Sequence, residues 1–114
     1  MTGTVKAGID FNTPLKNLRG EELKDITDGK EQPITLKTVC VEALLTAYPK
    51  EEISGTEKMK RYRIAKKVDD ANGEVLQLSV EELKSLKELV GIRFSPLIVG
   101  AAYAILDPTE LTEK

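Results

Sequence analysis

The apolar positions of the chain keep a helical spacing from residue 36 onward and lose it before that point. Leu36, Val39, Cys40, Ala43 and Ala47 fall along one side of a helix, and Val41, Leu44 and Leu45 widen that side to half the circumference or more. Thr38, Glu42 and Thr46 are the polar strip. With Thr35 as N-cap and Pro49 as breaker, the spacing predicts a mostly buried helix from Leu36 to about Tyr48. Ser54 with Glu57, three residues on, reads as a capping box and opens a helix to about Val68. Ser79 with Glu82 is a second capping box. Behind it Leu83, Leu86 and Val90 recur at i, i+3 and i+7, with Glu81, Lys84 and Glu88 opposite, and Gly91 is expected to end the helix as a left-handed cap.

Ser95-Pro96 opens a last helix, with proline at its first position. No charged residue lies between Phe94 and Leu106, and Leu97, Ile98, Val99, Ala101, Ala102, Tyr103, Ile105 and Leu106 cover every face. A helix apolar all round is expected to be buried, which makes residues 79–106 the expected centre of the fold. At about 11 residues the last helix is too short to span a bilayer. Gly100, Ala101 and Ala104 give it a small-residue side, so one side serving as a subunit interface is the alternative to a pure core role.

Before residue 35 turn signals replace helical period. They are Asn12-Thr13-Pro14, Arg19-Gly20-Glu21, Asp28-Gly29-Lys30 and Pro33. Between them Pro14–Leu18 and Glu22–Ile26 predict a β-hairpin about Gly20, with an extended partner-binding arm as the alternative. Asp69 to Gly73 reads as a turn. Glu74 to Leu78 reads as a short strand, the natural third member of a sheet. Residues 1–6 and 108–114 are expected to be flexible. The predicted architecture is α+β, a small β-hairpin or three-stranded sheet packed on a bundle of about four helices, in a single domain spanning 1–114.

Composition narrows the chemistry. A chain of 114 residues suits one domain with a real core. A net charge of −2 gives no global attraction to nucleic acid or to an anionic membrane. The opening MTGTVKAGID has no apolar core, so no secretory signal is expected there, and no stretch reaches transmembrane length. The single cysteine, Cys40, excludes an internal disulfide framework and fits a reducing compartment; inside an apolar helix it is expected to be a small buried thiol rather than a reactive one. There is no histidine, which removes Ser-His-Asp and Cys-His sites and histidine metal sites together. No phosphate-loop, dinucleotide, EF-hand or zinc motif occurs. These observations predict a protein that is not an enzyme, with no catalytic residue, no cofactor and no metal.

The most specific polar feature is KMKRYRIAKK, which carries Lys58, Lys60, Arg61, Arg63, Lys66 and Lys67. On a helical wheel Lys60, Arg63, Lys66 and Lys67 share a face of about 120°, and Tyr62, Ile64, Ala65 and Val68 face the other way. These six cations are the candidate partner-binding residues. Three readings stand: a solvated face neutralised by Glu51, Glu52, Asp69 and Asp70, a docking face for an acidic protein surface, or a contact to nucleic-acid backbone. The pair of helices about Gly91 also has the outline of a helix-turn-helix. Against it, Lys87 stands where that motif packs a small residue, and no Arg, Lys, Asn or Gln between Pro96 and Leu106 is available to read bases. With no Trp, three Tyr and two Phe, aromatic platforms for single strands are also thin.

Taken in order, PLxxLxG, DGK, ITLKTVCVEALL, SGTEKMKRYRIAKKV, LSVEELKSLKELVG and SPLIVGAAYAIL resemble small, functionally uncharacterised proteins of tailed bacteriophages, over about Pro14 to Leu106. The resemblance implies a setting in the cytoplasm of a bacterial host during infection and carries no catalytic residue. The expectation is a non-enzymatic phage accessory or regulatory protein that binds a host or phage protein. The alternatives are a structural or assembly protein that forms a homodimer through residues 94–106, and a nucleic-acid-binding protein that uses the basic helix 58–67. No membrane partner is expected.

Overall fold

A computed structural model of the chain describes residues 8–71 and 74–107. In order they form β1 (Lys24–Thr27), β2 (Lys30–Pro33), α1 (Leu36–Leu45), α2 (Gly55–Ala71), α3 (Val80–Arg93) and α4 (Pro96–Leu106), an α+β fold of one hairpin followed by four helices. The termini expected to be flexible, residues 1–6 and 108–114, and the Asn72-Gly73 part of the expected turn lie outside the described residues.

The chain converges on α1. This helix packs against α2 and α3 and more lightly against α4, and it buries Leu36, Val39, Cys40, Ala43 and Leu44. The uncharged helix α4, expected at the centre, lies at the periphery against α3. It buries only Ala102 and Leu106; Leu97 and Ala104 are exposed, and Ile98, Val99 and Ile105 are half-buried. The physical reason is area. Gly100, Ala101 and Ala104 count as uncharged but carry little apolar surface, so leaving them near solvent costs little.

An N-terminal strap explains how α1 is held. The first backbone N–H groups of a helix have no partner within it. Here Leu36 N donates to Thr13 O at 3.0 Å and Lys37 N to Phe11 O at 2.7 Å, while Thr38 N reaches the Thr35 hydroxyl at 3.4 Å. Phe11 and Leu15 on this strap are fully buried beneath α1 and its neighbours. Further along, Leu15 N donates to Ile34 O, Ile34 N to Leu23 O and Leu23 N to Leu15 O, each at 2.8 or 2.9 Å. This three-way clasp ties the strap to both ends of the hairpin.

The regular strands sit one turn later than expected. The turn at Gly20 exists: the Asn17 side chain accepts from Arg19 N and Glu21 N, Gly20 has φ 82°, and Lys16 bridges Glu22. The hydrogen-bonded ladder, however, runs Lys24↔Pro33 to Thr27↔Lys30 about Asp28-Gly29. Both turn residues have positive φ, 53° and 76°, as a two-residue type I′ hairpin turn requires. That dipeptide outranks Arg19-Gly20 because its backbone twist matches the strands. The segment Glu74–Leu78 is not a strand of this sheet. Among the described residues Leu76 pairs with Ile9 alone, by bonds of 2.8 and 2.9 Å, and so pins the α2–α3 connection to the strap.

Helix ends show two further corrections. The Ser79 capping box is complete, with Glu82 N to Ser79 Oγ and Ser79 N to Glu82 Oε1 both at 3.0 Å. At Ser54 only the forward half forms, Glu57 N to Ser54 Oγ at 3.1 Å, because the Glu57 carboxylate accepts from Arg61 Nε instead. Gly91 does not end α3: the positive-φ glycines among the described residues are Gly20 and Gly29, and the helix runs on to Arg93. A side chain at Gly91 would place its Cβ 3.2 Å from the Tyr103 hydroxyl of α4, so the glycine serves close approach rather than capping.

Candidate functional site

The six cations of α2 divide into held and free. Arg61 is nearly buried and makes a two-pronged bond to Glu51, Nη1 to Oε1 at 3.0 Å and Nη2 to Oε2 at 2.8 Å, with Nε on Glu57 at 3.2 Å. Lys67 crosses to α3 and meets Glu82 at 2.6 Å. Lys66 lies 3.3 Å from Asp70 one turn on, with both side chains exposed, and the exposed Lys60 lies 4.0 Å from the half-buried Glu57; such surface pairs are weak. Lys58 and Arg63 have no ion-pair partner among the described residues. Of the flanking acids expected to neutralise the stripe, Glu51 and Asp70 do so, while Asp69 pairs instead with Lys37 of α1 at 3.6 Å.

The protonation behaviour follows from these contacts. The Arg61 hydrogen bond holds the Glu51 carboxyl below the usual carboxylate range and outweighs a smaller opposing push from burial. Arg61 is raised in turn, chiefly by the Glu51 bond. At Glu82 burial pushes upward, but the bonds from Lys67 and from Ser79 together outweigh it and the group is lowered. Burial raises the Cys40 thiol far above its ordinary value, and the cysteine is the buried core group expected.

The helical wheel misplaced one aromatic. Ile64, Ala65 and Val68 are buried as expected, but Tyr62 is 52% exposed and stands on the outward side with Met59, 45% exposed. Leu45, expected within the buried face of α1, is 53% exposed. The three residues line one groove between the C-terminal end of α1 and the first half of α2, with a volume of about 500 Å³. Its floor includes Leu44 and Tyr48, and Lys58 and Arg61 lie along its wall. The Tyr48 hydroxyl donates to Ala43 O at 2.6 Å and satisfies a carbonyl at the end of α1; burial raises its pKa, against the opposing pull of Arg61 and Arg93.

The turn that closes the groove is built by Pro49 and Lys50. Glu51 N donates to Tyr48 O at 3.2 Å, and Lys50 takes φ 67°, the left-handed position that a type II turn places after its proline. This turn brings Glu51 back over Arg61. The exposed apolar residues were invisible to periodicity, because Leu45 extends the α1 stripe and Met59 falls inside a basic run. The helix stops at Leu45 and the chain is already extended at Thr46, which leaves Leu45 at the exposed end of α1.

The arrangement offers an open apolar trough with Lys58 on its lining. Among the described residues no cluster of three or more His, Cys, Asp or Glu is placed to hold a metal, and no helix is long and apolar enough to cross a membrane. Comparison with protein-family models, curated protein sequences and solved structures finds no match.

Proposed function

We propose that this is a non-enzymatic accessory or regulatory protein that works by binding another protein, with α2 and the adjoining end of α1 as its contact surface. The resemblance to small tailed-phage proteins supports a role in the cytoplasm of an infected bacterium, with a host or phage protein as target. One observation carries the reading: Leu45, Met59 and Tyr62 are each about half exposed around a single groove that Lys58 also lines. Exposed apolar groups gathered in one place mark contact sites, and Tyr, Met and Arg are the residue types enriched there. The pairing of Lys67 and Arg61 with carboxylates weighs against a nucleic-acid role, because those cations are spent within the fold.

Self-association through α4 is the second reading, favoured by the exposed Leu97 beside the fully exposed Leu18, both lining a groove between the strap and α4. A tagged pull-down from bacterial lysate, with and without nuclease and read by mass spectrometry, tests the first reading. One protein retained in both conditions is expected. Recovery that vanishes with nuclease would move the role to nucleic acid, and bait alone at a mass above one chain would move it to self-assembly.

A further inference from the structure

Resting on the self-association reading above, we infer that two copies of this chain join by a two-fold exchange in which Leu18 of each copy enters the groove between the strap and α4 of the other, over Gly100. The feature that calls for an occupant is Leu18, whose side chain is 99% exposed. The turn that carries it is held without it. Asn17 N donates to Glu21 O at 2.8 Å, Gly20 N donates to Asn17 O at 3.0 Å, and Asn17 Oδ1 accepts from Arg19 N and Glu21 N at 2.9 and 3.0 Å. The fold thus presents an apolar side chain that it does not use, on a turn whose shape is already set, and a pre-set turn keeps the ordering cost of a contact low. A single exposed leucine needs no explanation. This one lines a groove of about 490 Å³ together with Pro14, half-buried Ile105 and Leu97, itself 46% exposed. An added Cβ at Gly100 would meet nothing within 4 Å, so the groove is open above that residue.

Shape and charge both favour a second copy as the occupant. The projecting leucine and the groove belong to one face, and a two-fold contact sets that face against itself. Each copy then supplies a leucine and receives one, whereas a foreign partner has to provide both a projection and a hollow. A two-fold contact also brings like groups toward each other, so it suits a surface with little net charge. Among the described residues that line the groove Lys16 alone is charged, and α4 has no charged residue. Around Leu18 the exposed cations Lys16 and Arg19 are matched by the exposed carboxylates Glu21 and Glu22, two of each sign. This rim offers no net field to an acidic or a basic partner and offers both signs to its own copy. Among the described residues none lines both this groove and the α1–α2 groove, so each copy keeps that second surface and the pair presents it twice. The contact joins chains that are already folded, since α4 is anchored in its own chain by Ala102 and Leu106. Variants of the contact are therefore expected to change mass and to leave the melting of the dilute chain alone.

The test is sedimentation velocity of the whole chain over a wide range of concentration. The expected result is a mass that rises from one chain to two and stops there. Leu18→Ser is expected to weaken the association at least about tenfold while the helical circular dichroism stays unchanged. Gly100→Leu separates a fitted contact from general stickiness. It adds apolar surface, which would strengthen a non-specific association, but it fills the groove and is expected to weaken this one by about tenfold as well. If Gly100→Leu loses helix, Ala104→Lys, at an exposed position of the same groove, is read in its place. Leu45→Ser with Met59→Ser, in the other groove, is expected to leave the association unchanged. A single-chain mass at every concentration would overturn both this contact and the self-association reading. A wild-type dimer that Leu18→Ser or Gly100→Leu leaves intact, a dimer abolished by Leu45→Ser with Met59→Ser, or a mass that climbs past two chains would overturn the contact and leave self-association standing.

Discussion

Arg61 and Glu51 face each other as two parallel hydrogen bonds, Nη1 to Oε1 at 3.0 Å and Nη2 to Oε2 at 2.8 Å, across the turn that joins α1 to α2. The fork geometry fixes the end of that turn and commits the most buried cation of the basic helix to an ion pair within the fold. A consequence for pH follows. The Glu51 carboxyl is held below the usual range in the folded chain, so it binds protons more tightly when unfolded. Its stabilising contribution is full above the ordinary carboxylate value of 4.5 and is lost as pH falls through the lowered folded value. Thermal melts at stepped pH are expected to show Glu51→Gln less stable than wild type at neutral pH and converging with it in acid. Parallel curves over the whole range would refute a role for that ionisation.

Gly91 and Tyr103 make a second coupled pair. Glycine inside a helix ordinarily costs about 1 kcal/mol relative to alanine. At Gly91 an added Cβ would sit 3.2 Å from the Tyr103 hydroxyl, which also donates to Lys87 O at 2.6 Å and so has little freedom to give way. Gly91→Ala is therefore expected to gain little in the wild-type chain and close to the full ~1 kcal/mol in a Tyr103→Phe background. A denaturant-melt cycle reads the difference. Equal effects in the two backgrounds would show that the hydroxyl is not what keeps glycine there.

How far the fold is legible in the chain differs by region, for physical reasons. The four helices are legible because Thr35, Ser54, Ser79 and Ser95-Pro96 mark their starts and the apolar spacing marks their inner faces. Their ranking is not. Counting uncharged residues put α4 at the centre, whereas burial depends on side-chain area, and α1 with Leu36, Val39 and Leu44 holds more of it than the Gly- and Ala-rich α4. The hairpin is legible as existing but not in register, since Gly20 and Asp28-Gly29 both turn the chain and only the second continues into a ladder. Of the candidate site, the basic residues are legible and their pairing is not. Glu82 reaches Lys67 from fifteen residues away, and Leu45 is uncovered by a helix end that periodicity carries three residues too far.

The peripheral place of α4 has a mutational signature. Leu106 is buried at 4% exposure and Leu97 is 46% exposed. Leu106→Ala is expected to cost about 2–5 kcal/mol, as other large-to-small core changes do. Leu97→Ala is expected to cost roughly 1 kcal/mol or less, and Ala104→Lys is expected to be tolerated. Urea melts of the three variants decide this. Comparable large losses at Leu97 and Leu106 would return α4 to the interior or place its outer side in an interface.

Cys40 is fully buried and its thiol strongly resists ionisation. A thiol reagent such as dithionitrobenzoate is expected to react with the native chain only as fast as the chain opens, and at once in denaturant. Rapid reaction under native conditions would mean that α1 is far less securely covered than its packing indicates.

The central claim, that this chain binds a protein through the α1–α2 surface, is tested most directly by one paired capture. Wild type and the Leu45→Ser, Met59→Ser variant are each tagged and passed through nuclease-treated bacterial lysate, with bound proteins read by mass spectrometry. The expected result is a single protein retained by the wild-type chain and lost or sharply reduced with the variant, both baits showing the same circular dichroism. Equal recovery by the two baits, or none by either, would contradict the claim.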